Sequence, residues 1–111
     1  MTTERRRKVP IPPPLTNEQR KDAYTRSLAL RRARAEAKQG LAEAEKPAEF
    51  LAYLWDKEPI QGMQVVDLLT AMRGIGLARA AKLLERAGIK PGRKVRGVGP
   101  LQRDRLFGLF V

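Results

Sequence analysis

Two glycine pairs, Gly74-Ile75-Gly76 and Gly97-Val98-Gly99, punctuate the second half of the chain, each just before a stretch with helical periodicity. Glycine takes a positive φ and ends helices more readily than any other residue, so each pair predicts a tight turn between short helices. Gly74 follows an apolar segment ending near Met72, and Gly76 precedes a predicted helix over Leu77 to Ala87. After the second pair, Pro100 suits a helix start, and Leu101, Leu106, Phe107 and Phe110 give a final helix its apolar face. Between the two turns, residues 89–96 are too rich in proline and glycine for helix and read as an extended connector.

Upstream, the chain divides by charge. Residues 41–72 set Lys46 and Lys57 against Glu43, Glu45, Glu49, Asp56, Glu58 and Asp67 and concentrate the large apolar groups, which makes them the core. Pro47 fits a first helical turn, with Phe50, Leu51, Leu54 and Trp55 on one face. Pro59 and Gly62 are expected to interrupt that helix, and Met63, Val66, Leu69 and Met72, with Val65 and Leu68 alongside, give a second one. Before this core, Thr16 and Gln19 form a capping box, with Leu15 placed to staple the first turn, and predict a long helix through Gly40 or a little beyond. That helix carries Arg20, Lys21, Arg26, Arg31, Arg32, Arg34 and Lys38 against Glu18, Asp22 and Glu36, over a thin stripe that is mostly alanine. It can bury little, and reads equally as a helix held by alanine propensity and scattered ion pairs or as a surface that tracks phosphates.

The expected architecture is all-α. Residues 1–14, MTTERRRKVPIPPP, read as a disordered basic, proline-rich arm; residues 15–45 as the long basic helix; and residues 46–111 as a compact helical domain.

The formal charge of +11 over 111 residues favours polyanionic partners, nucleic acid first. Histidine and cysteine are absent, which removes the usual general base near neutral pH, the commonest metal ligand, and all thiolate and disulfide chemistry. No catalytic residue, cofactor or metal is therefore expected. No apolar run could cross a bilayer, so a soluble, cytoplasmic protein with no membrane partner is expected.

The positive charge gathers around the glycine turns. From Arg73 to Arg105 there are ten Lys and Arg, against Glu85 and Asp104 alone. Arg79, Lys82 and Arg86 fall at i, i+3 and i+7 and share one helical face, while Arg93, Lys94 and Arg96 crowd the connector. Gly74-Ile75-Gly76 then has two readings. It is a compact turn between core helices, or a cup in which free amides and the positive end of the helix dipole meet a phosphate, which Gly76 lets approach closely.

The order of a long basic helix, short acidic helices and GIGLARAAKLLERAGIKPGRKVRGVGPLQRDRL resembles the actinobacterial integration host factor family over about residues 15–110. The most specific part is the GIG turn, followed further on by RKVRGVG and a short helix. The resemblance implies a helix-two-turn-helix module that holds duplex DNA by its backbone with little sequence preference. It implies phosphate contacts at Gly74, Ile75 and Gly76, and a DNA-binding connector at Arg93, Lys94 and Arg96. Lys94 stands where the family often has arginine, which keeps the charge but loses bidentate geometry. The arm is not part of the family pattern, and a final helix containing Gly108 is expected to fray.

The leading expectation is a non-enzymatic, nucleoid-associated protein that binds double-stranded DNA and bends or compacts it. It is expected to be monomeric off DNA, with a recombinase–DNA complex as a further partner. The candidate contacts are those six residues with Arg79, Lys82, Arg86, Gly97, Gly99, Arg31 and Arg34. A ribosomal-type structured-RNA binder is the alternative. A repair glycosylase or lyase would have to use Lys82 or Asp67, for which no pocket is foreseen, and Gln102 is the only amide side chain in the module that could read adenine.

Overall fold

The computed structural model describes residues 14–110; the basic part of the expected arm and Val111 lie outside them. Six α-helices follow one another: α1 (Asn17–Glu43), α2 (Pro47–Leu54), α3 (Glu58–Gln61), α4 (Val65–Ala71), α5 (Leu77–Ala87) and α6 (Pro100–Gly108), with a 3-10 turn at Val95–Gly97 before the last. The described chain is all-α and elongated, 64 × 32 × 23 Å, because α1 runs well past the body formed by the others.

α1 starts as its sequence dictates. The Thr16 hydroxyl accepts from the Gln19 amide at 3.0 Å, and the Gln19 side chain accepts from the Thr16 amide at 2.9 Å. The expected staple is not made: Leu15 is 54% exposed, and the residue it would meet in the helix is Arg20. Only Ala37 and Leu41 of α1 are buried, so the helix joins the core through its last turns. There Gly40 lies under the Phe50 ring of α2, where a β-carbon would come within 2.5 Å of a ring atom. Arg34 fixes the next point of contact, its Nε donating to the Pro59 carbonyl at 2.9 Å.

The first core helix ends at Leu54, close to the expected Trp55, and Pro59 follows that break rather than making it. It occupies the first turn of α3, where a missing N–H costs nothing, and the helix it opens buries Ile60. Leu41, Leu51, Leu68, Leu69, Leu84, Leu106, Val65 and Val95 are fully buried beside it, which draws α1, α2, α4, α5 and α6 and the connector into one aliphatic core. Each such side chain contributes about 1.5–3 kcal/mol.

α5 ends at Gly88, left-handed at φ 76°, with the Ile89 amide reaching back to the Leu84 carbonyl at 2.9 Å and the Ile89 side chain buried. The connector is not helical in the α sense but is only partly extended: it turns at Pro91-Gly92, pairs at Lys94 with Gln64 just before α4, and enters the 3-10 turn at Val95. Val65 donates to the Arg93 carbonyl at 3.0 Å, and Val95 to the Met63 carbonyl at 2.9 Å. The end of α6 is held rather than frayed, since Phe107 packs edge-on against Trp55 at 5.3 Å and Phe110 against Phe107 at 6.1 Å.

Alanine is a better helix former than glycine by about 1 kcal/mol, yet Gly40→Ala is expected to lower stability, because displacing the Phe50 ring costs about 1–3 kcal/mol. In a Phe50→Ala background the sign should reverse, which urea unfolding of the four proteins would show.

Candidate nucleic-acid interface

The first glycine turn is open on its outer side. Gly74 takes φ 85°, a conformation that disfavours any side chain, and brings the chain round from α4 to α5. Gly76 caps α5 at φ −91° and ψ 178°, which any residue adopts, and a β-carbon there would touch nothing within 4 Å. Neither its conformation nor its neighbours within the protein require glycine. No side chain caps α5, and the amides of Gly76, Leu77, Ala78 and Arg79 find no acceptor among the described residues.

Ile75 departs from expectation. Its side chain is buried, and its amide donates to the Met72 carbonyl at 3.2 Å. An alternation that puts Gly74 and Gly76 outward puts Ile75 inward, and it serves as the turn's anchor in the core instead of a phosphate ligand.

The second turn differs. A β-carbon at Gly97 would meet the Arg93 side chain at 2.7 Å, because Arg93 folds back over it with Nη1 3.5 Å from the Gly97 carbonyl. Gly99 caps α6 and donates to the Gln102 side-chain oxygen at 3.0 Å, while the Gln102 Nε2 donates to the Gly88 carbonyl at 2.6 Å. Gln102 thus ties the start of α6 to the end of α5. Its oxygen and one amide hydrogen are committed, so the bidentate contact that reads adenine is not open to it.

The cations fall into three groups. Arg79, Lys82 and Arg86, all exposed, line one groove with Leu83 and Leu109. Lys90, Arg93, Lys94 and Arg96 line a second along the connector, with Gly92 and Gly97. A third cleft of about 450 Å³ lies between α1 and α4, lined by Arg31, Arg34, Lys38, Gln64, Asp67 and Lys94 among others. Lys94 belongs to both the second and the third, and so joins the long helix to the connector.

Arg34, grouped with Arg31 in the sequence, is half-buried and committed to Pro59, with its guanidinium over Gly62, so it acts first as a structural pin. Arg31 is exposed, its guanidinium 3.4 Å from the Ser27 hydroxyl. Lys38, two turns beyond Arg31, completes the cleft and was legible as the same stripe. The ion pairs that would neutralise α1 are not there: among the described residues the salt bridges are Lys46–Glu49 and Arg103–Asp104. Arg73, which sequence reasoning passed over, donates to the Ala44 carbonyl at 3.0 Å and so caps the end of α1 from the edge of the first glycine turn. Lys82 and Asp67 line different clefts and form no joint site.

Residues 43–110 match the S13-like H2TH domain family. The chain is 40% identical over 100 residues to an integration host factor of Streptomyces coelicolor, covering 86% of this chain and 94% of that protein. It is 35% identical to one of Mycobacterium tuberculosis, over 88% and 94% of the two chains. A solved structure of sIHF bound to an 8 bp palindromic DNA superposes with a TM-score of 0.67 at 35% identity, over 78% of this chain and 99% of that one.

Gly76→Val should leave the melting temperature within a few degrees of the parent, as the β-carbon meets no neighbour, while weakening DNA binding about tenfold or more. Cooperative unfolding of the variant would mean the glycine serves the turn alone. Arg34→Ala and Arg31→Ala should separate by assay. The first lowers stability by about 1–2 kcal/mol in denaturant, and the second leaves stability unchanged but flattens the salt dependence of binding.

Proposed function

This chain belongs to the integration host factor family of actinobacteria, and on that premise we propose that it is a non-enzymatic protein that binds double-stranded DNA through the phosphate backbone and bends or compacts it. The observation that carries this reading is the run of cations without ion pairs, among the described residues, on α1 and on the connector, meeting at Lys94, together with the free amides at the start of α5. Asp67 is the one acid that lines the α1 cleft, and the cations around it outnumber it and repel one another. A polyanion relieves that repulsion and releases its counterions in exchange.

Backbone contacts position a protein on DNA without reading sequence, and the one module amide side chain suited to adenine is occupied within the protein. Slight sequence preference follows. Bending follows if the α1 cleft and the module grooves hold phosphates of one duplex that do not lie on a straight line. The deformation costs on the order of a few kcal/mol, offset by the added contacts. In this reading the protein works as a monomer off DNA, is associated with the nucleoid in the cytoplasm, and supports site-specific recombination by shaping DNA for a recombinase complex. The DNA-bound relative supports DNA over structured RNA as the ligand.

Replacing Arg93, Lys94 and Arg96 by glutamine should weaken binding to all duplex sequences alike and lower the salt slope by about one unit per lost phosphate contact. Fluorescence anisotropy across a salt series, on a duplex carrying a donor–acceptor pair at its ends, reads affinity and bending together. Unchanged affinity would remove the connector from the interface, and an unchanged end-to-end distance would remove the bend.

A further inference from the structure

Two tyrosines are equally exposed, Tyr24 and Tyr53, each at 64%. Tyr53 is accounted for within the protein: its ring stacks on Phe50 at 5.9 Å and lies under the Lys57 ammonium at 4.2 Å. Tyr24 is not. Among the described residues its ring has neither an aromatic nor a cationic partner. A lone exposed tyrosine is ordinary on a protein surface, but the register of this one is not.

Successive residues of an α-helix turn by about 100°, so positions seven apart fall within about 20° of one another and about 10.5 Å apart along the axis. Tyr24, Arg31 and Lys38 form such a series on α1, and Arg20 lies one turn before Tyr24 on the same face. Arg31 and Lys38 line the cleft between α1 and α4. Tyr24 continues that face along the part of α1 that stands clear of the body, where residues 14–26 are all exposed. The outcome is a flat, largely apolar ring with a cation before it and cations after it on one line, continuous with the cleft.

A duplex lying along this stripe brings phosphates to Arg20 and Arg31, and what lies between two rows of phosphates is the floor of a groove. The minor groove is about 6 Å wide, so one helical face can hold both of its walls. We propose that Tyr24 is a further DNA-contacting residue, whose ring enters the minor groove between the phosphates held by Arg20 and Arg31, partly unstacks a base step and so sets the bend. This rests on the bending reading above and names the side chain that produces it. Phosphate contacts curve a duplex smoothly, whereas a ring inserted at one step concentrates the curvature there, because the kinked form is the one in which the ring is buried. Contact of the ring with bases and sugars offsets part of the lost stacking.

The test uses the full chain and a random-sequence DNA duplex with a donor–acceptor pair at its ends, across a salt series. Tyr24→Ala should fold as the parent does, since the ring is largely in water and alanine is the better helix former. It should bind about fivefold more weakly with an unchanged salt slope, because a neutral ring releases no counterions, and the end-to-end distance of the bound duplex should return most of the way to that of free DNA. Tyr24→Phe, which keeps the ring, should bind and bend as the parent does. A Tyr24→Ala protein that bends DNA as much as the parent would overturn the proposal and leave the bend standing. A salt slope lowered in Tyr24→Ala would also overturn it, by making the ring a support for the neighbouring cations. If the parent binds without changing the end-to-end distance, the bend and the role of Tyr24 fall together, while backbone binding stands.

Discussion

A segment carrying Lys90, Arg93, Lys94 and Arg96 within seven residues should repel itself into solvent, and in isolation nothing in its sequence would hold it to the domain. Two backbone hydrogen bonds do so, Val65 to the Arg93 carbonyl and Val95 to the Met63 carbonyl, with the Val95 side chain fully buried between the cations on either side. Because main-chain groups make this contact, none of the guanidinium or ammonium groups is consumed by it. The pairing also sets the connector beside the cleft of α1, and it is why Lys94 can line both surfaces. The connector's part in the site depends on that short antiparallel contact.

The second constraint is electrostatic. Acids are gathered in residues 41–72, and the few elsewhere do not neutralise the cations of α1, so the folded chain carries unrelieved repulsion. A single modest aliphatic core has to offset this. In such a protein a ligand that binds only the folded form adds directly to its stability. Fold and polyanion are linked through the same charges, and salt, which screens the repulsion, weakens the ligand's hold at the same time.

Features set by neighbours in the chain were legible in the sequence. The Thr16 capping box, Pro47 and Pro100 at helix starts, the positive φ of Gly74 and the lack of α-helix between α5 and α6 all follow from one to four adjacent residues. What depended on distant partners was not. Ile75 and Gly76 look alike as parts of a turn until the core takes one of them. Arg34 and Arg31 share a helix and a charge, and only the Pro59 carbonyl, twenty-five positions away, makes one a pin. Gln102 appeared free to read a base because nothing in the sequence says that Gly88 lies beside it. The break after Trp55 was legible, but not that Pro59 opens a further short helix, since a proline that cannot continue one helix serves equally well to begin the next.

The hydrogen bond from Arg73 to Ala44 gives the long helix a fulcrum. α1 has 27 residues and so reaches roughly 40 Å, most of it beyond the body of the domain. A tilt of roughly ten degrees at its root would sweep the far end through about 7 Å, comparable to the rise of two base pairs. The residue that holds that root stands next to Gly74, at the edge of the first glycine turn. Whatever draws Arg73 away from Ala44 acts at the short arm of a lever whose long arm is α1.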